Sequence, residues 1–124
     1  MVSNYSRGAG WERDFAHMLE SKGWTVIRSA GSHKEADLLA GKFDKKRFEE
    51  AALKQRSWDS VKRRLAVQCK LNSGRFSVDD KEALIRFASA FDATPMLVRK
   101  EDRKHKYWVL DSTNDELVNE DYFN

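Results

Sequence analysis

Asp37, Gln68 and Lys70 are the side chains whose types and spacing could do chemistry together. Gln68 and Lys70 lie two apart in the run LAVQCKL (residues 65–71), which reads as a strand. Successive strand side chains point to opposite faces, so Gln68 and Lys70 share a face with Ala66, while Val67, Cys69 and Leu71 share the other. Asp37 opens a second apolar run, ADLLAG (36–41). If the two runs pair as a hairpin, a carboxylate, an amide and an ammonium converge at one sheet edge. The carboxylate is a hard anionic ligand for Mg²⁺, the amide oxygen a second ligand, and a lysine beside them aligns water or offsets charge on a scissile phosphate. Those are the groups of a metal-dependent phosphodiesterase. A half-buried strand with one wet face accounts for Gln68 and Lys70 equally well, so the remaining elements must decide.

Trp11, Phe15, Met18 and Leu19 repeat at helical spacing and Gly23 follows as a stop, which predicts a helix from about Ala9 to Lys22. WTVIRS and ADLLAG then read as strands, turned by the glycine and polar residues of AGSHKE. Residues from Asp44 to Arg64 are expected to be helical for much of their length, with Phe48, Ala51, Ala52, Trp58 and Val61 as an imperfect apolar stripe. RRLAVQCKL is a central strand and GRFSV a short further one. Asp79 is the expected cap of the next helix, with Glu82 three residues on, and Leu84, Ala88 and Phe91 form its buried face. TPMLVRK and KYWVLD close the chain as two strands around the polar turn EDRKH. This order predicts an α/β fold, a mixed sheet with helices packed on its faces.

The chain has 124 residues, 40% hydrophobic and 35% charged, the size and composition of one globular domain. No apolar stretch approaches the roughly 20 residues of a membrane span, and MVSNYSRGAGWERDF lacks an apolar signal core, so the expected location is cytoplasmic. The one cysteine, Cys69, forms no internal disulfide, no Cys/His pair has zinc spacing, and a core-facing thiol is not expected to be a nucleophile. The net charge of +3 is unevenly spread: nine basic residues face four acidic ones between Lys42 and Arg64, and no basic residue follows Lys106. That segment is either a polyanion-binding surface, with Arg63 and Arg64 as candidate DNA contacts, or a solvated helix face; charge alone does not separate the two.

Four motifs in order resemble the archaeal-type Holliday junction resolvases, the Hjc family of the PD-(D/E)xK nucleases, over about residues 6 to 111. RGAGWERDF resembles their N-terminal helix and its glutamate, here Glu12, with Arg7 at its start; VIRSAGS resembles their strand and loop, with Arg28, Ser29 and Ser32. ADLLAG stands where the family has PDxxAG, giving Asp37, and VQCK where it has xEVK, giving Gln68 and Lys70. RFSVDDKEALIRFASAFDATPMLVRK continues like their strand, helix and strand. The resemblance implies a restriction-endonuclease-like mixed central β-sheet flanked by helices. It implies a homodimeric, structure-selective endonuclease that nicks four-way DNA junctions, reading backbone shape rather than base sequence. It further implies Mg²⁺, with Mn²⁺ able to substitute, held by Glu12, Asp37, Gln68 and the Cys69 carbonyl. Lys70 orients water, Ser32 and Arg28 hold the phosphate, and Arg7 and Ser29 contact DNA.

Three departures stand out. Ala36 replaces the family's proline, residues 42–64 form a longer, basic insertion within the single domain, and Gln68 replaces a metal-binding carboxylate. A neutral ligand removes one charge of attraction for the ion and weakens the site. The rivals are a nuclease of the same fold acting on flaps or duplex ends, and a junction-binding protein that has lost cleavage through Gln68. Other residues have plain readings: Glu12 as an exposed carboxylate beside Arg13, His33 as an exposed loop residue, and Trp58 as helix core.

Overall fold

The computed structural model describes residues 4–28, 35–43, 45–54, 62–71 and 74–124. Helix α1 (Asn4–Ser21) begins five residues before the sequence expectation and buries Trp11, Phe15 and Leu19, one residue per turn along a single stripe. Gly23 ends it at φ 94°, with Gly23 N–H donating to the Glu20 carbonyl and Trp24 N–H to that of Leu19. This is a Schellman closure, and only glycine enters that backbone region without strain.

Six strands follow: β1 (Thr25–Arg28), β2 (Leu38–Phe43), β3 (Lys62–Leu71), β4 (Thr94–Glu101), β5 (Lys104–Val109) and β6 (Glu116–Val118). They lie in one sheet in sequence order. Only β3 and β4 run parallel, joined by helix α3 (Val78–Ala90) as the crossover; every other neighbour is antiparallel. The expected mixed α/β sheet is therefore the observed architecture. No helix among the described residues is long and apolar enough to cross a membrane.

β3 is the spine. Leu65, Val67 and Cys69 face α1 with Phe15, Leu38, Met96 and Val98, while Ala66 faces α3 with Leu84, Ala88 and Leu97. Ala66 is fully buried, so the face it shares with Gln68 and Lys70 is wet only from Gln68 onward. The strand is central, as expected, and covered on both sides, and its polar pair lies where that cover ends.

Several expectations are corrected. Arg63 and Arg64 open the central strand as expected, but Lys62 also belongs to β3; among the described residues the basic segment forms helix α2 (Lys45–Leu53). Of the expected stripe, Phe48 is half-buried and Ala52 exposed, while the Ala51 side chain, Trp58 and Val61 lie outside the described residues. Gly74–Ser77 is not a strand. The cap of α3 is Ser77, whose hydroxyl accepts from Asp80 N–H while the Asp80 carboxylate accepts from Ser77 N–H; Asp79 is two residues too late. Phe91 is the C-cap and half-exposed, not core.

The sequence reading missed β6 and the 3-10 turn at Glu120–Phe123, which bring Phe123 into full burial against Phe15 and Tyr107. Arg63 holds this tail. Its guanidinium lies 5.0 Å from the Trp24 ring and 5.4 Å from that of Tyr122, and it donates to the Tyr122 and Asn124 carbonyls. Each charge-assisted bond contributes roughly 1.5–3 kcal/mol and a stacked cation somewhat less. Arg63→Ala should therefore cost about 3 kcal/mol in urea unfolding, the low end of that sum because the Asn124 bond is exposed, and Arg63→Lys should recover little, because an ammonium lacks the planar fork. An unchanged midpoint would detach the tail from this arginine.

Candidate active site at the end of the β2–β3 hairpin

The hairpin inferred from the sequence forms, with Leu38 paired to Val67 as its last registered pair. Beyond it Asp37 N–H donates to the Val67 carbonyl at 2.8 Å, and the strands then separate. Cys69 N–H, left without a ladder partner on β2, donates to Asp37 Oδ2 at 2.8 Å. The opening of the hairpin thus fixes the carboxylate, with β3 backbone supplying the donor.

Glu12 arrives from α1, one residue after buried Trp11, and its Oε2 lies 3.9 Å from Arg28 Nη2 at the end of β1. Its ion-pair partner is Arg28, not the adjacent Arg13. Burial, and after it the Asp37 charge, push the Glu12 carboxyl up to about 6 against the opposing pull of Arg28. Asp37 is also raised, because burial outweighs the Cys69 hydrogen bond and the Lys70 charge. Two half-buried carboxylates, both raised by burial and Glu12 also by the Asp37 charge, are an anionic pair short of positive charge. Lys70 and Gln68, both half-buried, project from the next positions of β3. Cys69 is buried and its thiol is pushed far up, first by burial and then by Asp37 and Glu12, so it stays protonated and inert.

Among the described residues no three His, Cys, Asp or Glu side chains gather closely enough to hold a metal ion. Gln68 stands where the family resemblance implies a carboxylate. The donor set is consequently two carboxylates with neutral oxygens beside them. Such a set fits a hard divalent cation, though with one anionic charge fewer.

The structure brings Glu12, Arg28, Asp37 and Lys70 into electrostatic contact. Ser29, Ser32 and His33 lie outside the described residues, as does the Arg7 side chain. Arg63 and Arg64 stand at the other end of β3, six or seven residues from Lys70 and so roughly 20 Å along the strand. Arg63 is held by the C-terminal turn as above, and Arg64 pairs with Asp92 at 3.0 Å. Arg99, which the sequence reading left unassigned, stands beside Lys70 on the neighbouring strand; its cross-strand register, invisible without the β3–β4 pairing, is the signal that reveals it.

Comparison with known proteins identifies the family and the fold. Residues 3–123 match the family model of the archaeal Holliday junction resolvases (Hjc). The crossover junction endodeoxyribonuclease Hjc of Methanocaldococcus jannaschii is 33% identical over 103 residues, which is 81% of this chain and 63% of that protein, so the chain spans less than two thirds of its length. The structure of Archaeoglobus fulgidus Hjc, a Holliday junction resolvase from an archaeal hyperthermophile, matches with a TM-score of 0.61 at 22% identity, covering 95% of this chain and 88% of that one. That likeness shows the restriction-endonuclease-like fold. With the ordered motifs, the open β2–β3 hairpin and the family match over nearly its whole length, this chain belongs to the archaeal Holliday junction resolvase family.

Proposed function

We propose that the protein is a metal-dependent endodeoxyribonuclease that resolves four-way DNA junctions, acting as a homodimer in the cytoplasm. The observation that carries this reading is the meeting of Asp37, Glu12 and Lys70 where β2 and β3 part. Glu12, Asp37, the Gln68 amide oxygen and the Cys69 carbonyl are the groups that would hold the cation, Mg²⁺ or Mn²⁺. The N–H and C=O of one strand residue point the same way, which directs the Cys69 carbonyl into the same opening as its N–H. A bound divalent cation supplies positive charge beside the phosphate and a water of lowered pKa.

The chain's own groups do the rest. Asp37, anchored by Cys69 N–H, fixes the metal side of the site to the rigid β3 backbone. Lys70 faces the phosphate, aligns the attacking water and stabilises the charge that develops as the new P–O bond forms and the bond to the leaving oxygen breaks. Arg28 balances Glu12 and, with Ser29, Ser32 and Arg7, supplies contacts to the DNA backbone. Recognition is of branched shape, since these are phosphate donors rather than base readers. A junction offers two equivalent strands, which calls for two sites related by a two-fold axis. The apolar groove where Ile27, 65% exposed, meets Leu39, Phe87 and Phe91, 51% exposed, supports a second copy as its cover.

The missing third carboxylate favours a second reading, a junction binder with weak or lost cleavage. A labelled four-way junction, flap and duplex of one sequence, incubated with protein and Mg²⁺ or Mn²⁺, separate these functions: symmetric nicks support resolution, products from flaps or ends another nuclease, and a shifted but intact junction the binder. Gln68→Glu addresses the metal itself. In a working site it should lower the Mg²⁺ midpoint of cleavage roughly tenfold, whether the maximal rate rises or falls. A variant with the wild-type midpoint would mean that residue 68 does not reach the ion.

A further inference from the structure

Lys70 does not end the polar ground on its face of the sheet. The parallel register sets Arg99 of β4 beside Lys70, and the antiparallel register sets Lys106 of β5 beside Arg99. Three cations therefore stand in one row across three adjacent strands. Neighbouring strands lie about 4.8 Å apart, so the row is roughly 10 Å long at the backbone. Two residues along, Gln68, Leu97 and Trp108 form a parallel row on the same face. Arg99, Lys106, Leu97 and Trp108 line an open cavity of about 480 Å³ that Phe76 and Lys81 border on the α3 side. That volume is within the range of small-ligand sites.

The charges are fixed as well as present. Arg99 Nη1 donates to the Gly74 carbonyl at 2.7 Å, which holds the guanidinium at the cavity. Lys106 pairs with Glu101 at 3.4 Å and Lys81 with Asp115 at 2.8 Å. The lining holds Lys81, Arg99 and Lys106 against Glu101 and Asp115, a formal excess of one positive charge, and Lys70 stands next to Arg99. Leu97 is buried and Trp108 half-buried, so an indole forms part of an otherwise apolar floor. A nucleotide has the complementary halves, an anionic phosphate and a flat base with a π-face.

We propose that this cavity is a subsite for the nucleotide flanking the scissile phosphate, its own phosphate against Arg99 and Lys106 and its base against Trp108. The proposal rests on the nuclease reading above and extends it: the strand passing Lys70 continues along the cation row. The subsite accepts any of the four bases by stacking.

The test uses a four-way junction with 2-aminopurine at the nucleotide flanking the cleaved phosphate on either side, bound in EDTA so that nothing is cut. Binding should change the fluorescence at one flanking position and leave a base several nucleotides away unaffected. Trp108→Leu should abolish that change and weaken junction binding roughly tenfold, while Trp108→Phe retains both. Lys106→Gln, at an exposed position, should lower the salt slope of binding by about one. If Trp108→Leu does not fold, Lys106→Gln decides, and an unchanged slope overturns the proposal. Equal responses at flanking and distant bases also overturn it while the wild type still binds and cuts junctions. A wild type that neither binds nor cuts a junction removes the nuclease reading itself.

Discussion

Asp37→Asn should reduce junction cleavage at least a hundredfold and leave junction affinity within about threefold of the wild type. Asparagine keeps an oxygen for Cys69 N–H, so the end of the hairpin is retained while the charge that would hold a cation is lost. Binding survives because Asp37 donates nothing to phosphate; removing an anion from a DNA-facing site favours binding if it changes it at all. Relief of the raised Asp37–Glu12 pair should also keep the variant at least as stable as the wild type without divalent ions. Single-turnover cleavage beside a junction titration checks both halves. Cleavage at the wild-type rate would take Asp37 out of the site, and a parallel collapse of binding would make its role structural.

The second large effect is on stability. Glu12 has a folded-state value of about 6 against an ordinary 4.5, so the fold favours its protonated form. That contribution is fully present below pH 4.5 and is lost as the pH rises through 6, leaving at neutral pH a cost on the order of 1 kcal/mol when no divalent ion is present, because solvent screens the part-exposed carboxylate. Glu12→Gln removes the titration. In EDTA the variant should melt a few degrees above the wild type at pH 7.5 and match it near pH 4.5. A divalent ion should reverse the order, because the wild type gains binding energy that the variant forgoes. Identical melting curves at both pH values would mean that Glu12 bears no strain in the fold.

The chemistry was legible in the sequence, and its surroundings less so. Asp37 and Lys70 could be set together because strand periodicity fixes faces and one hairpin fixes the pairing, both of them local rules. Glu12 could not be derived this way. Its approach depends on α1 packing Trp11 and Phe15 against the far side of β3, a tertiary fact that only the family resemblance supplied. The face of Ala66 was misjudged because two polar residues at its end outweighed one small residue in the middle, whereas α3 covers that middle completely. Lys62 read as part of a basic helical stretch, since consecutive charges say nothing about period. Arg63 finds its partners only through a tail whose strand, Glu116–Val118, is too short for any pattern to show.

The central claim is that two carboxylates and a lysine, short of the usual third acid, still cut a junction in two places. A supercoiled plasmid carrying an extruded cruciform tests it most directly. Paired cuts across the branch within one binding event release linear DNA, whereas independent single cuts leave a nicked circle. With Mg²⁺ or Mn²⁺ the account predicts that linear product appears without prior accumulation of nicked circles, and that Asp37→Asn yields neither product. A cruciform that is bound yet stays supercoiled under every divalent ion supplied would contradict it.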